Sequence, residues 1–183
     1  MRTKVLIASI LFFLPAVLHA QVEAYVTYSP THLSNVESGV NSSNQTQYSD
    51  YWASGIGGGV TLNFLPLPAV SLGLDLRGST KSGTNGADTA LAGLKLGVHV
   101  PGLHLKPYIE GAGGYLATRT YTPAGTTDNN KFLAWEILGG IDDPLAHFLD
   151  WRVIELGGGQ GIKTGSGPNA SLFTVNTGLV VHF

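Results

Sequence analysis

From Val22 onward apolar and polar residues alternate along the chain, and breaks rich in proline, glycine, serine and asparagine interrupt the alternation. A period of two is the mark of strands whose two faces meet different surroundings. It predicts eight strands, near residues 22–30, 51–63, 69–78, 88–100, 105–118, 132–142, 149–159 and 171–183. In the third, Val70, Leu72, Leu74 and Leu76 oppose Ser71, Gly73, Asp75 and Arg77. The fourth sets Leu94, Leu96, Val98 and Val100 against Gly93, Lys95, Gly97 and His99. In the sixth, Leu133, Trp135, Ile137 and Ile141 oppose Ala134, Glu136, Gly140 and Asp142. The last strand alternates through Val175, Thr177, Leu179, Val181 and Phe183 to end on an aromatic ring.

The breaks sort by length. Leu65–Pro68, Pro101–His104 and Asp143–His147 are tight and contain proline, whereas Thr31–Asp50, Ser79–Ala87, Arg119–Lys131 and Gly161–Ala170 are longer and polar. Short turns on one side and long loops on the other are the habit of bacterial transmembrane barrels. The expected fold is all-β: an eight-stranded antiparallel up-and-down transmembrane β-barrel, apolar residues toward lipid and polar ones toward the lumen. Aromatic residues expected near strand ends fit two interfacial belts. Tyr28, Tyr51, Trp52, Tyr121 and Phe173 fall on the long-loop side, and Phe64, Phe148, Trp151 and Phe183 on the other.

Composition narrows the setting. Hydrophobic residues make up 43% of the 183 residues and charged ones only 12%, with 25 glycines scattered through the strands. A soluble domain carries about twice that share of charge. The net charge of −2 and the lack of a basic cluster argue against nucleic acid. Without cysteine there is no disulfide, thiol catalysis, zinc–thiolate site or lipoprotein anchor. Residues 1–20 read as a secretory signal, with Arg2 and Lys4 before the apolar run Val5–Leu14 and Leu18-His19-Ala20 as the cleavage site. Residues 21–183 are then the barrel.

These features together resemble the small eight-stranded outer-membrane barrels of the OmpA/OmpX type. The likeness covers the whole mature stretch and is most specific at its C-terminal end. The assembly signal of that family runs polar residue, any, glycine, any two, apolar, any, terminal aromatic. Asn176, Gly178, Val181 and Phe183 occupy those places in order. The resemblance implies residence in the bacterial outer membrane with both termini periplasmic, and contact with outer-membrane lipid and lipopolysaccharide. It also implies engagement of the barrel-assembly machinery during biogenesis, in a barrel-only member that lacks a peptidoglycan-binding domain.

Chemistry is sparse. Asp75, Arg77, Lys95, Glu110, Glu136 and Arg152 are expected to face the lumen, and eight strands leave an interior that side chains can just fill. An internal ion-pair network is the expected outcome, with a narrow porin-like channel for ions or small solutes as the alternative. The glycine runs at 55–59, 111–114 and 157–159 lack the following helix that a phosphate loop needs. The string His32-Leu33-Ser34-Asn35 resembles the catalytic stretch of outer-membrane lipid A deacylases, with Ser34 as nucleophile and His32 as base. It lies after the first strand rather than in a later one, and the acidic partner is not at the family's spacing. His99, His104, His147 and His182 have no metal-ligand spacing. The sequence therefore predicts a non-enzymatic envelope protein without metal or cofactor, one that steadies the envelope or presents its outer segments to a ligand the sequence does not name.

Overall fold

In the computed structural model the described residues are 21–183, apart from 41, 42, 44, 67, 68, 84, 100, 101, 103, 122–126 and 164–166. The expected export signal lies outside them. Among the described residues nine antiparallel strands form one closed sheet. They are β1 (Gln21–Tyr28), β2 (Thr31–Val40), β3 (Thr46–Pro66), β4 (Val70–Ser82) and β5 (Gly86–Val98), then β6 (Lys106–Tyr121), β7 (Thr127–Ala146), β8 (Leu149–Lys163) and β9 (Ala170–His182). From β3 to β9 each strand pairs with the next.

Nine strands make eight places in the wall because β1 and β2 share one. Both lie between β3 and β9, and the register runs on unbroken: Tyr28↔Thr177 is followed by Thr31↔Thr174 on one side, and Tyr28↔Ile56 by Thr31↔Ala53 on the other. The break falls at Ser29-Pro30, since proline has no N–H for the ladder. The pairing survives around it: Ser29 N donates to Gly55 O and Val175 N to Pro30 O, each at 3.0 Å. The wall closes where β1 meets β9, ending with Phe183 N donating to Val22 O at 2.9 Å. Closure satisfies every strand edge in the band where lipid offers no hydrogen bonds.

The polar segments expected as long loops are largely strand. Thr31–Asp50 is not a loop: β2 turns back along β3 as a hairpin, with register shifts between Leu33 and Val36 and between Glu37 and Val40. Asn35 (φ 60°) and Gly39 (φ 110°) lie at these shifts, in the left-handed region that asparagine and glycine tolerate. Beyond the wall a strand no longer separates lipid from lumen, so the strict alternation that reveals strands is lost. Here β2 pairs with β9 only over Thr31–Ser34, and β3 meets β4 only from Ser54 onward. Residues 46–53 therefore have β2 on one side and no strand on the other among the described residues.

In the wall the faces follow the alternation. Leu74, Leu76, Leu94, Ile109, Leu133, Trp135 and Ile137 are exposed outward, while Asp75, Lys95, Glu110 and Glu136 are buried inside. Trp52 and Phe173 mark one rim, and Phe148, Trp151 and Phe183 the other. Tyr51 departs from the expected belt: it turns inward, packs on the interior apolar cluster, and its hydroxyl donates to Gly86 O at 3.4 Å.

Candidate functional site

The lumen is filled in two tiers. The tier nearer the short turns is charged and holds Asp75, Arg77, Lys95, Glu110 and Arg152 of the six residues expected in the lumen, whereas Glu136 lies farther from the short turn on β7. Arg77 Nε lies 3.1 Å from Asp75, and its terminal nitrogens reach Glu110 at 2.9 Å and Glu155 at 3.0 Å. Arg152 holds Asp142 at 3.0 Å and touches Glu155 at 3.4 Å. Its guanidinium lies between two aromatic faces, 4.4 Å from the Tyr25 ring centre and 4.9 Å from that of Tyr108, a cation–π arrangement. The remaining capacity of Asp75 and Glu155 is taken up locally. Asp75 accepts from Tyr25 OH at 2.7 Å and Thr61 Oγ1 at 2.6 Å, and Glu155 accepts from Tyr108 OH and Asn176 Nδ2, each at 2.6 Å. Such saturation is what allows ions to be buried, since an unpaired one costs several kcal/mol.

Glycines make the room. A Cβ on Gly93 would lie 2.8 Å from Glu110 Oε1, one on Gly140 would strike the Tyr108 hydroxyl, and one on Gly59 the Tyr25 hydroxyl. These inward glycines are the spaces into which the large polar side chains lean, so the strand glycines and the charged tier are one design.

Toward the short turns the tier opens into a vestibule of about 80 Å³. Lys95 pairs with Glu23 at 2.9 Å, Lys106 with Asp150 at 2.7 Å, and His182 Nε2 lies 2.8 Å from Asp150. Of the expected set, Asp75, Arg77 and Glu110 meet directly, Lys95 and Arg152 join them through shared carboxylates, and Glu136 stands apart without a salt bridge among the described residues.

Lys81, Asp150 and Glu155 are buried in the lumen as well and Glu23 is partly so, none of them expected from the sequence, and Asp142, which the alternation set on the polar face, joins them. Glu155 was hidden by geometry. A register shift between Arg152 and Glu155 reverses the phase of β8, so both residues point inward although they are three apart. The adjacent apolar pair Val153-Ile154, after which the alternation resumes in the opposite phase, is the signal that reveals it.

The other tier is apolar, which the alternation did not predict. Leu33, Val36, Leu91, Leu116, Phe132, Leu138 and Leu172 form one buried cluster inside the barrel, each 5% exposed or less. The bulge at Asn35 delivers Val36, since the extra residue returns the next side chain to the face of Leu33. Within the hairpin Asn35 N donates to Asp50 Oδ1 at 2.9 Å, and Lys163 of β8 pairs with Glu37 of β2, tying the hairpin to the wall.

His32 and Ser34 lie on the outer face. Ser34 Oγ is 3.4 Å from His32 Nδ1, and the imidazole packs 5.1 Å from the Trp52 ring. The nearby carboxylate, Asp50, is engaged by the Asn35 amide. Of the C-terminal residues, Asn176 is buried against Glu155, while Phe183 is 78% exposed at the rim beside β1. Among the described residues no group of three or more His, Cys, Asp or Glu is placed to hold a metal ion.

No protein-family model and no curated protein matches the chain. Solved structures do. The N-terminal β-barrel domain of Pseudomonas aeruginosa OprF superposes with a TM-score of 0.56 at 14% identity, covering 89% of this chain and 97% of that one. Ail, the attachment invasion locus protein of Yersinia pestis, solved with the heparin analogue sucrose octasulfate, gives 0.53 at 9% identity, covering 90% and 99%. The chain has the fold of the small transmembrane β-barrels of bacterial outer membranes.

Proposed function

We propose that this chain is a non-enzymatic integral protein of the bacterial outer membrane, both termini periplasmic, whose closed barrel anchors the β2–β3 ribbon as a contact surface outside the cell. One observation carries the reading: both tiers of the lumen are packed, while one edge of residues 46–53 of β3 has no strand beside it among the described residues. An open edge is a template for an incoming strand. Outer-membrane lipid and lipopolysaccharide surround the apolar wall, and Asn176, Gly178, Val181 and Phe183 serve as the signal to the assembly machinery.

Joining Val36 to Ser49 through Asn-Gly tests the proposal, because those residues already pair and a two-residue turn suits them. The shortened protein is expected to remain a heat-modifiable barrel while cells carrying it lose adhesion to protein-coated surfaces and become more sensitive to detergent. Unchanged adhesion and sensitivity would refute the contact role. Unitary conductance from the purified protein in planar bilayers would favour the narrow channel instead. The 3.4 Å contact between Ser34 and His32 supports a second reading, lipid A deacylation at the outer face. Lipid A of altered mass that reverts on Ser34→Ala would establish it.

A further inference from the structure

Between the charged and apolar tiers lies a chamber of about 30 Å³, lined by Lys81, Glu136, Asn176 and the hydroxyl residues Thr27, Ser79 and Thr89. Three of its polar groups are incompletely satisfied. Lys81, 2% exposed, has three ammonium hydrogens and a single partner among the described residues, Ser79 Oγ at 2.5 Å. Glu136, 5% exposed, receives no hydrogen bond from a described residue. Asn176 spends its amide on Glu155, and its Oδ1 has no partner.

We propose that this chamber is a hydration site in which about two ordered water molecules, the number its volume admits, join the Lys81 ammonium to the Glu136 carboxylate and to Asn176 Oδ1. The unsatisfied groups select the occupant. Lys81 needs an acceptor, whereas Glu136 and Asn176 need donors. A metal cation would answer only the oxygens and a halide only the ammonium. Organic molecules carrying both functions exceed the volume. Water accepts and donates, and each buried molecule makes about three hydrogen bonds. Left dry, the chamber would hold an under-solvated ammonium and a bare carboxylate, which burial strongly disfavours. The water also joins Lys81 to the charged tier, since Asn176 is bonded through Glu155 to Arg77 and Arg152.

A crystal structure of the full-length barrel, refined to a resolution that orders solvent, is the direct test. Density for water within hydrogen-bonding distance of both Lys81 Nζ and the Glu136 carboxylate is expected. An empty chamber, a bound ion, or direct contact between the two side chains would overturn the proposal. A double-mutant cycle supplies an independent reading. Lys81→Met and Glu136→Met should each lower the folded-to-unfolded ratio roughly 10- to 100-fold, because each strands the other group. The double variant should fall short of the product of the two by at least about 10-fold, since removing both ends leaves nothing to hydrate. Strictly multiplicative losses would count against it, and should a variant fail to fold, the wild-type density alone decides.

Discussion

Arg77 and Phe132 occupy the interior of the same barrel and block it by opposite chemistry. Around Arg77 the space is taken by ions that satisfy one another, with Asp75, Glu110 and Glu155 all on one guanidinium. Phe132 sits among Leu116, Leu138 and Leu33, where the filling is ordinary apolar packing. The difference teaches where each filling derives its strength. The charged tier is only as strong as its weakest pairing, because every ion depends on a specific partner. Within the apolar tier, neighbours share the load and can relax into a vacancy. Removing one residue from each tier should therefore produce losses of different size and kind.

The largest loss is expected from Arg77→Met, which leaves three carboxylates without their common cation. Breaking a buried ion pair by deleting one partner costs about 3–5 kcal/mol, and the loss of one cation from three acids at once, with Glu110 left without a salt bridge among the described residues, puts this variant at the upper end. Urea unfolding of the barrel in lipid vesicles measures it. A loss below that of any apolar truncation would mean that the tier is hydrated enough to tolerate a missing cation, and the contrast between the tiers would fail. Phe132→Ala should come next, at roughly 3 kcal/mol, with transfer and cavity terms eased by the adjacent mouth. If it instead abolishes folding, the apolar tier rather than the charged one organises the barrel.

Much of this architecture could be read in the alternation, and its omissions have definite physical causes. The outward faces of β4, β5 and β7 were legible because lipid demands apolar residues at every second position. The six lumen charges followed by elimination. The apolar tier was hidden where both faces of a strand are apolar: in Phe132-Leu133-Ala134-Trp135 the alternation sets Ala134, and with it Phe132, inward, but nothing in the sequence says that such inward residues gather into a cluster. The two phase reversals were hidden because strict alternation assumes an unbroken register, while Asn35 and the Arg152–Glu155 shift each break it. Raised segments such as β2 looked like loop because the shifts at Asn35 and Gly39 break the alternation and leave the inward Leu33 and Val36 three apart. The Ser34–His32 proximity was legible from the string itself, but its outward position needed the register of β2 against Trp52 and Phe173.

Asn35 offers a finer probe, since it is the hinge that puts Val36 into the apolar tier. Asn35→Val forces a β-branched residue into φ 60°, at a cost of roughly 1–2 kcal/mol, whereas Asn35→Gly should be close to neutral. Tryptophan fluorescence separates the two, because Trp52 lies on the neighbouring strand of the same hairpin. Equal stability of the valine and glycine variants would show that the bulge is not what aims Val36.

The smallest effect is expected inside the charged tier and qualifies the claim that every partner there matters. Among the described residues the inward acids Glu23, Asp75, Glu110, Glu136, Asp142, Asp150 and Glu155 outnumber the cations Arg77, Lys81, Lys95, Lys106 and Arg152. Glu110 is the acid whose loss the network can best absorb: it shares Arg77 with two other carboxylates, and its Oε1 has no partner. Glu110→Gln keeps an oxygen toward Arg77 and removes one surplus charge, so its stability should lie within about 1 kcal/mol of the native protein. Asp75→Asn makes the informative contrast. That carboxylate already accepts from Tyr25, Thr61 and Arg77, and hydrogen bonds to a charged group contribute about 1.5–3 kcal/mol each. Equal losses for the two variants in vesicle unfolding would mean that the charged tier is governed by total charge. A small loss at Glu110 beside a large one at Asp75 would mean that it is governed, residue by residue, by which acceptor is already filled.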